Sequence, residues 1–305
     1  MISNGKFYES QFEEATIELL REAHWQYAFG DDIHRKYTDP LIEEDLRNFL
    51  AVQYKDKNLT TSEMDSIVAN LRNTGGQNDY YALRNTFLLY RDGYDFAYSD
   101  GRSNPFRLEY IDFEHPVHNI FRCVNQFVME QGRENRRPDI LLFINGIPVC
   151  IIELKNPTKQ NATIHDAHTQ ICTRYMRDIP ALLKYCALAV ISDGAKNALG
   201  ATYTPFEFFY EWKKIENEDK AGKGLDTLRT LIRGAISPER ILEILRDYVY
   251  FPDPTKEDDT TEIVCRYPQF FATRKLRDHI LNHLRSVGGD GKAVSYTHLR
   301  AHETV

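Results

Sequence analysis

Phe12, Thr16, Leu19, Leu20 and Ala23 recur at the spacing of one helix face, with Glu9, Glu13, Glu14 and Glu18 along the same segment. That pattern predicts an amphipathic first helix. Asp39-Pro40 opens a second helical stretch through Ile42, Leu46, Phe49 and Leu50, while Thr61 to Leu71 and Asp79 to Arg91 read as a third and a fourth. From Tyr94 the pattern changes to short aromatic and β-branched runs, Tyr94 to Tyr98, Arg107 to Ile111 and Ile120 to Met129. These read as strands and mark where a sheet is expected to start. Asn161 to Arg174 then has a helical pattern, and Tyr185 to Ser192 that of a buried strand closed by the turn signal Ser192-Asp193-Gly194. Helix after strand points to an α/β layer. Ser237-Pro238 places a cap and a proline at the start of a last helix that runs through Ile241, Leu242, Leu245 and Val249.

Composition narrows the class. The 305 residues are 42% apolar, 12% aromatic and 27% charged, which excludes a disordered or fibrous chain and leaves room for one large or two modest domains. The net charge of −7 means that any attraction to nucleic acid must be local. No apolar run approaches the roughly 18 residues that span a bilayer, and MISNGKFYES lacks a basic segment followed by an apolar one. The expectation is a cytoplasmic protein with no membrane contact. Five scattered cysteines without a CxxC pair read as reduced packing residues. FPDPTKEDDTT at 251–261 has linker composition, so the chain divides into a domain over 1–250, a linker over 251–262 and the start of another domain over 263–293. Residues 294–305 resemble a translated sequencing adaptor. Native sequence is therefore expected to end near Ala293 in a protein that is naturally longer, and His298 and His302 are set aside.

The chemistry concentrates in Arg136-Arg137-Pro138-Asp139, five apolar residues, Asn145-Gly146, and a second apolar run ending in Glu153-Leu154-Lys155. Asn-Gly between two such runs is a strong hairpin signal, because both residues tolerate positive φ. A two-residue turn would set Asp139 opposite Ile152 and separate the acids. A three-residue loop, Asn145 to Ile147, sets Asp139 opposite Glu153 and starts the second strand at Pro148; this register, or an equivalent bulge, is the one expected. Lys155 then shares the face of Glu153. Two carboxylates and a lysine at a strand end suit Mg²⁺ binding and phosphodiester hydrolysis. Arg133, Arg136 and Arg137 supply local positive charge for phosphate. The bare Asp, Glu-x-Lys spacing arises by chance in roughly one chain in fifteen of this length, but the preceding proline, the two buried strands and the turn make it far more specific. The alternative is a surface hairpin ending in an ion pair.

The segment resembles the PD-(D/E)xK nucleases, and among them the N-terminal part of the restriction (R, motor) subunit of type I restriction-modification enzymes. The likeness extends through FEEATIELL, IDFEHPVHNIFRCVNQF, YMRDIPALLKYCALAVISDG and FEFFYEWKKIE. It implies a restriction endonuclease-like α/β fold, a mixed sheet flanked by helices with a helical N-terminal insertion. It also implies that Asp139 and Glu153 ligate Mg²⁺, that the Leu154 carbonyl adds a ligand, and that Lys155 is the catalytic lysine. An acid on the first helix completes such sites; Glu13 is the first choice and Glu9 the second. The implied activity is that of a type I site-specific deoxyribonuclease. It would cut unmodified double-stranded DNA after ATP-driven translocation, in a complex with modification (methyltransferase) and specificity subunits.

Relatives of this kind carry Gln and Tyr four apart on the helix after the lysine. Here Gln170 and Tyr175 are five apart, which on an α-helix turns Gln170 about 100° further round; both are kept as catalytic candidates, with Gln170 and Arg174 together as the substitute for the usual glutamine. His165 and His168 have metal-compatible spacing but no third soft ligand, so they are expected to be ordinary structural histidines. Ile263 to Phe271 looks like the adenine-sensing glutamine motif that opens the motor of these subunits, with Gln269 reading adenine. The glycine run at 288–292 lacks phosphate-loop spacing, so this chain is not expected to hydrolyse ATP itself. Two rivals remain: another nuclease of the same fold, for example in repair, and a catalytically silent DNA-binding or docking module.

Overall fold

The computed structural model describes residues 4–155, 163–216, 222, 224–252 and 260–285. The chain forms two compact units, residues 1–265 and 266–305. Within the first, helix α1 (Asn4–Glu22) buries Phe12, Thr16, Ile17, Leu19 and Leu20 along one face, as the spacing predicts. The chain then reverses at His24, in the left-handed region at φ 73°, into strand β1 (Gln26–Phe29). Three helices follow: α2 (Glu43–Gln53), α3 (Thr61–Asn73) and α4 (Asp79–Asp92). Thr60 and Glu63 cap α3 reciprocally, the Glu63 N–H donating to Thr60 Oγ1 at 3.2 Å and the Thr60 N–H to Glu63 Oε2 at 2.9 Å. Asn78 caps α4 by accepting from the Tyr81 N–H at 3.1 Å. Their apolar faces meet through Leu46, Leu50, Ile67, Leu71, Leu83 and Phe87, all buried.

This helical insertion separates β1 from its neighbour in the sheet, β2 (Phe121–Asn125). Next come β3 (Ile140–Ile144), β4 (Ile147–Leu154), β5 (Leu188–Ser192) and β6 (Asn197–Ala201). The six strands lie side by side in chain order, parallel at β1–β2 and β4–β5 and antiparallel elsewhere. The sheet therefore begins before the helices rather than at Tyr94. The runs at Tyr94 and Arg107 form a separate two-stranded ribbon, Tyr94–Phe96 with Phe106–Leu108.

The parallel step from β4 to β5 needs a crossover, which helix α5 (Ile164–Thr169) supplies. Its helical path continues through a π-helical stretch, Gln170–Tyr175, into Met176–Asp178. Ala167, Ile171, Tyr175 and Ile179 cluster with Leu141, Phe143, Ile151, Ala189 and Ile191 of the sheet in one buried core. After β6 come α6 (Leu225–Leu231) and α7 (Pro238–Asp247). Trp25, behind α1, donates its indole N–H to the Ile236 carbonyl at 2.9 Å and joins that region to the first helix. Helix α7 starts at Pro238 as expected but stops at Asp247, two residues short of Val249. Val249–Tyr250 instead pairs with Ile263–Val264 as a short antiparallel ribbon. Helix α8 (Tyr267–Arg285) is the described part of the second unit. The adaptor-like tail and the glycine run fall outside the described residues. All five cysteines are free thiols, and three of them are buried. Among the described residues no helix is long and apolar enough to cross a membrane.

Candidate active site

The site is built on the β3–β4 hairpin. Asn145 and Gly146 both take positive φ, 51° and 76°, so the turn has two residues and β4 starts at Ile147 rather than Pro148. Only glycine fits at 146, because a Cβ there would lie 2.1 Å from the Ile42 carbonyl oxygen. Near the turn Ile144 faces Ile147 and Phe143 faces Pro148, whereas beyond it Leu142 faces Cys150 and Ile140 faces Ile152. Val149 is the extra residue of a β-bulge, placed beside a proline that has no ladder N–H to lose. The bulge shifts the register by one, so that Asp139, just outside β3, lies across from the Glu153–Leu154 end of β4. The Leu154 N–H donates to Asp139 Oδ2 at 2.7 Å.

Period-two alternation turns Glu153 towards the α5 side of the sheet, among groups that fix it. The Lys155 ammonium donates to Glu153 Oε1 at 2.8 Å and to Gln170 Oε1 at 2.6 Å. Gln170 Nε2 donates to the Tyr175 hydroxyl at 2.7 Å, and that hydroxyl reaches Glu153 Oε2 at 3.3 Å. The Lys155 N–H is anchored on the Ser192 carbonyl of β5 at 2.7 Å. The helix accommodates the five-residue spacing by π-helical winding: the Met176 N–H bonds back to the Ile171 carbonyl, and residues five apart come onto one face. Gln170 therefore does not take the turn that an α-helix would give it. It stands between Lys155 and Tyr175, and the extra residue is absorbed locally.

Glu153 is 1% exposed and Lys155 15%. Burial first, and then the charge of Asp139, push the Glu153 carboxyl up to about 8 against the pull of Lys155 and Tyr175. Burial, with the Glu153 charge behind it, likewise raises the Tyr175 phenol. Among the described residues one ammonium proton of Lys155 has no protein acceptor. Two carboxylates close together beside a lysine offer hard oxygen donors. That fits a hard divalent cation such as Mg²⁺, for which Asp139 and Glu153 offer the oxygen ligands.

The other candidates lie around this centre in different states. Glu13 on α1 accepts from Asn125 Nδ2 at 2.8 Å and Gln126 Nε2 at 3.1 Å. Because Asn125 pairs with Ile140, this places Glu13 at the same end of the sheet, beside the strand that precedes Asp139. The Glu9 side chain lies outside the described residues. Arg133 and Arg137 are exposed. Arg136 is held at 2.7 Å by both Glu134 and Asp178, so its guanidinium locks the end of the site helix to the strand before Asp139. His168 gives Nε2 to the Thr204 carbonyl at 3.0 Å and packs against Phe206 and Phe209. His165 also packs on Phe206. In the second unit Gln269 is exposed in the first turn of α8, its Oε1 accepting the Arg266 N–H at 2.9 Å. A group the sequence did not single out, Asp112 with His115 and His118, gathers at the other end of the hairpin.

Comparison with known proteins places these features in a family. The family model described as type I restriction enzyme R protein N terminus matches residues 6–208. The type I restriction enzyme HindI endonuclease subunit of Haemophilus influenzae is 29% identical over 311 residues, covering 94% of this chain and 29% of its own length. A putative type I restriction enzyme MjaIXP endonuclease subunit of Methanocaldococcus jannaschii is 27% identical, covering 88% of this chain and 27% of its own. A second protein of that organism, the putative MjaVIIIP endonuclease subunit, is 31% identical over 59% of this chain. The chain thus spans less than a third of the length of these relatives.

Proposed function

The chain belongs to the family of type I restriction enzyme R protein N termini, and from that premise we propose that its Asp139–Glu153–Lys155 centre hydrolyses phosphodiester bonds of double-stranded DNA. The observation that carries this reading is the closed hydrogen-bond path from Glu153 through Lys155 and Gln170 to Tyr175 and back to Glu153, with Asp139 across the hairpin. A silent docking module has no need to bury an acid at 1% exposure beside a second acid.

Each residue has a defined task. Asp139 and Glu153 would hold the divalent cation, which supplies charge neutralisation and Lewis acidity at the scissile phosphate when bound. Lys155 is held by two of its protons and keeps the third for the attacking water or a phosphate oxygen, offsetting the charge that grows as phosphorus becomes five-coordinate. Gln170 and Tyr175 fix the ammonium so that little reorganisation accompanies attack. Water forms the new bond to phosphorus and gives up a proton to solvent, while the bond to the leaving sugar oxygen breaks and that oxygen takes up a proton from solvent. The exposed Arg133 and Arg137 are placed to meet the DNA backbone at the rim.

For the whole protein we propose the role that the relatives' names carry, the endonuclease subunit of a type I restriction enzyme. It would act on unmodified DNA with modification and specificity subunits, and would be driven by an ATP-dependent motor that Gln269 opens. The test at this level is conversion of supercoiled plasmid to nicked circle by the purified chain in Mg²⁺ and in EDTA. Cleavage confined to the Mg²⁺ arm supports the reading; equal cleavage in both arms refutes it.

A further inference from the structure

The loop that leads into β2 carries two histidines that the nuclease site does not use. Asp112, His115 and His118 are three apart in sequence, and a tight helical turn at Pro116–His118 folds the second histidine back. Both rings address the same carboxylate oxygen, His118 Nδ1 at 2.8 Å and His115 Nδ1 at 3.4 Å from Asp112 Oδ2. The rings stack with centroids 5.0 Å apart at 26°, and the three ligand atoms lie within 4.8 Å of one another. Among the described residues no other hydrogen-bond partner takes either ring.

The carboxylate is fixed from behind. Asp112 Oδ1 accepts the N–H groups of Glu114 at 3.0 Å and His115 at 2.9 Å, and Gln53 Nε2 donates to Oδ2 at 3.2 Å. The Asp112 side chain is 5% exposed, while those of His115 and His118 are 61% and 49% exposed. An oriented acid thus forms the floor and two exposed imidazoles form the open side. Asn119 ties the loop to the hairpin: its Oδ1 accepts from the Asp112 N–H at 2.9 Å and from Asn145 Nδ2 at 2.8 Å. The cluster therefore sits at the turn end of β3–β4, a strand's length from Asp139 and Glu153.

We propose that Asp112, His115 and His118 bind a divalent transition-metal ion of the zinc class, with the remaining coordination open to water. Two imidazole nitrogens and one carboxylate suit Zn²⁺, Co²⁺ or Ni²⁺ and not Mg²⁺, which demands an all-oxygen shell. Tetrahedral ligands at bonds of about 2.0 to 2.1 Å stand about 3.3 Å apart, and the two nitrogen–oxygen separations bracket that value. The ion takes the place of the hydrogen bond between His118 Nδ1 and Asp112 Oδ2. It cross-links the loop and, through Asn119, braces the hairpin turn.

Zinc uptake by the whole chain provides the test, read by equilibrium dialysis against micromolar ZnCl₂ with elemental analysis, beside melting curves with and without zinc. The variants are His115→Ala/His118→Ala and, as a control for the pair on α8 whose rings lie 4.2 Å apart, His279→Ala/His283→Ala. The expected result is one zinc fewer per chain in the first variant, no zinc-induced rise in its melting temperature, and an unchanged melt without zinc. The control keeps the rise. Equal zinc content in wild type and the first variant, or no uptake by wild type, overturns the assignment whether or not the chain cleaves DNA.

Discussion

Glu153→Gln should flatten part of the pH dependence of folding stability. In the folded chain the carboxyl is pushed up to about 8 from its ordinary value of 4.5, by burial first and by Asp139 second. A raised acid binds more protons folded than unfolded, so its contribution is fully present below about 4.5 and is lost as pH climbs through about 8. The difference between those limits corresponds to on the order of 5 kcal/mol. In a chain of this size that amounts to roughly 10 °C or more of melting temperature. Gln keeps the shape without the charge, so the variant should gain on the wild type between pH 5 and pH 9 in EDTA. Glu262, fully buried with its carboxyl also well raised by desolvation, contributes in the same direction in both proteins and cancels in the comparison. Mg²⁺ should restore the wild type at high pH and leave the variant unmoved. A melting difference between wild type and variant that stays constant across this range would refute the reasoning.

Other substitutions test separate links. Tyr175→Phe removes the hydroxyl that receives Gln170 and reaches Glu153; it should cost about 1 to 2 kcal/mol in urea unfolding and lower the cleavage rate while the fold, read by circular dichroism, is kept. Gly146→Ala puts a Cβ against the Ile42 carbonyl at φ 76° and should destabilise by more than about 2 kcal/mol in the same assay; an unchanged midpoint would contradict the turn geometry. Trp25→Phe deletes the buried bond to the Ile236 carbonyl and should cost about 1 to 3 kcal/mol without altering Mg²⁺ affinity measured by calorimetry.

The hairpin was legible because its signals are local: Asn145-Gly146 sets the turn, and the two apolar runs and the acids fix which face matters. The route to the acid pairing was not, since the bulge at Val149 and a three-residue loop give the same register beyond Leu142. The edge strands escaped notice for a physical reason. Gln26–Phe29 is four residues long and half-exposed, and Asn197–Ala201 is built of small residues; both are strands only because neighbours distant in sequence pair with them. Gln170 shows the limit most clearly. Its spacing from Tyr175 is plain in the sequence, but an α-helical reading turns it about 100° round, and the π-helical winding that sets it against Lys155 is visible only in the fold. The charge of Arg136 is visible in the sequence, whereas its ion pair with Asp178 is not.

The central claim is that Asp139, Glu153 and Lys155 form one hydrolytic centre. The most direct measurement compares nicking rates of supercoiled plasmid in Mg²⁺ at low salt for the wild type, Asp139→Ala and Lys155→Ala, with melting curves run alongside. The account predicts metal-dependent nicking that falls by on the order of 100-fold or more in both variants while each still melts cooperatively. Nicking at the wild-type rate in either folded variant would contradict it.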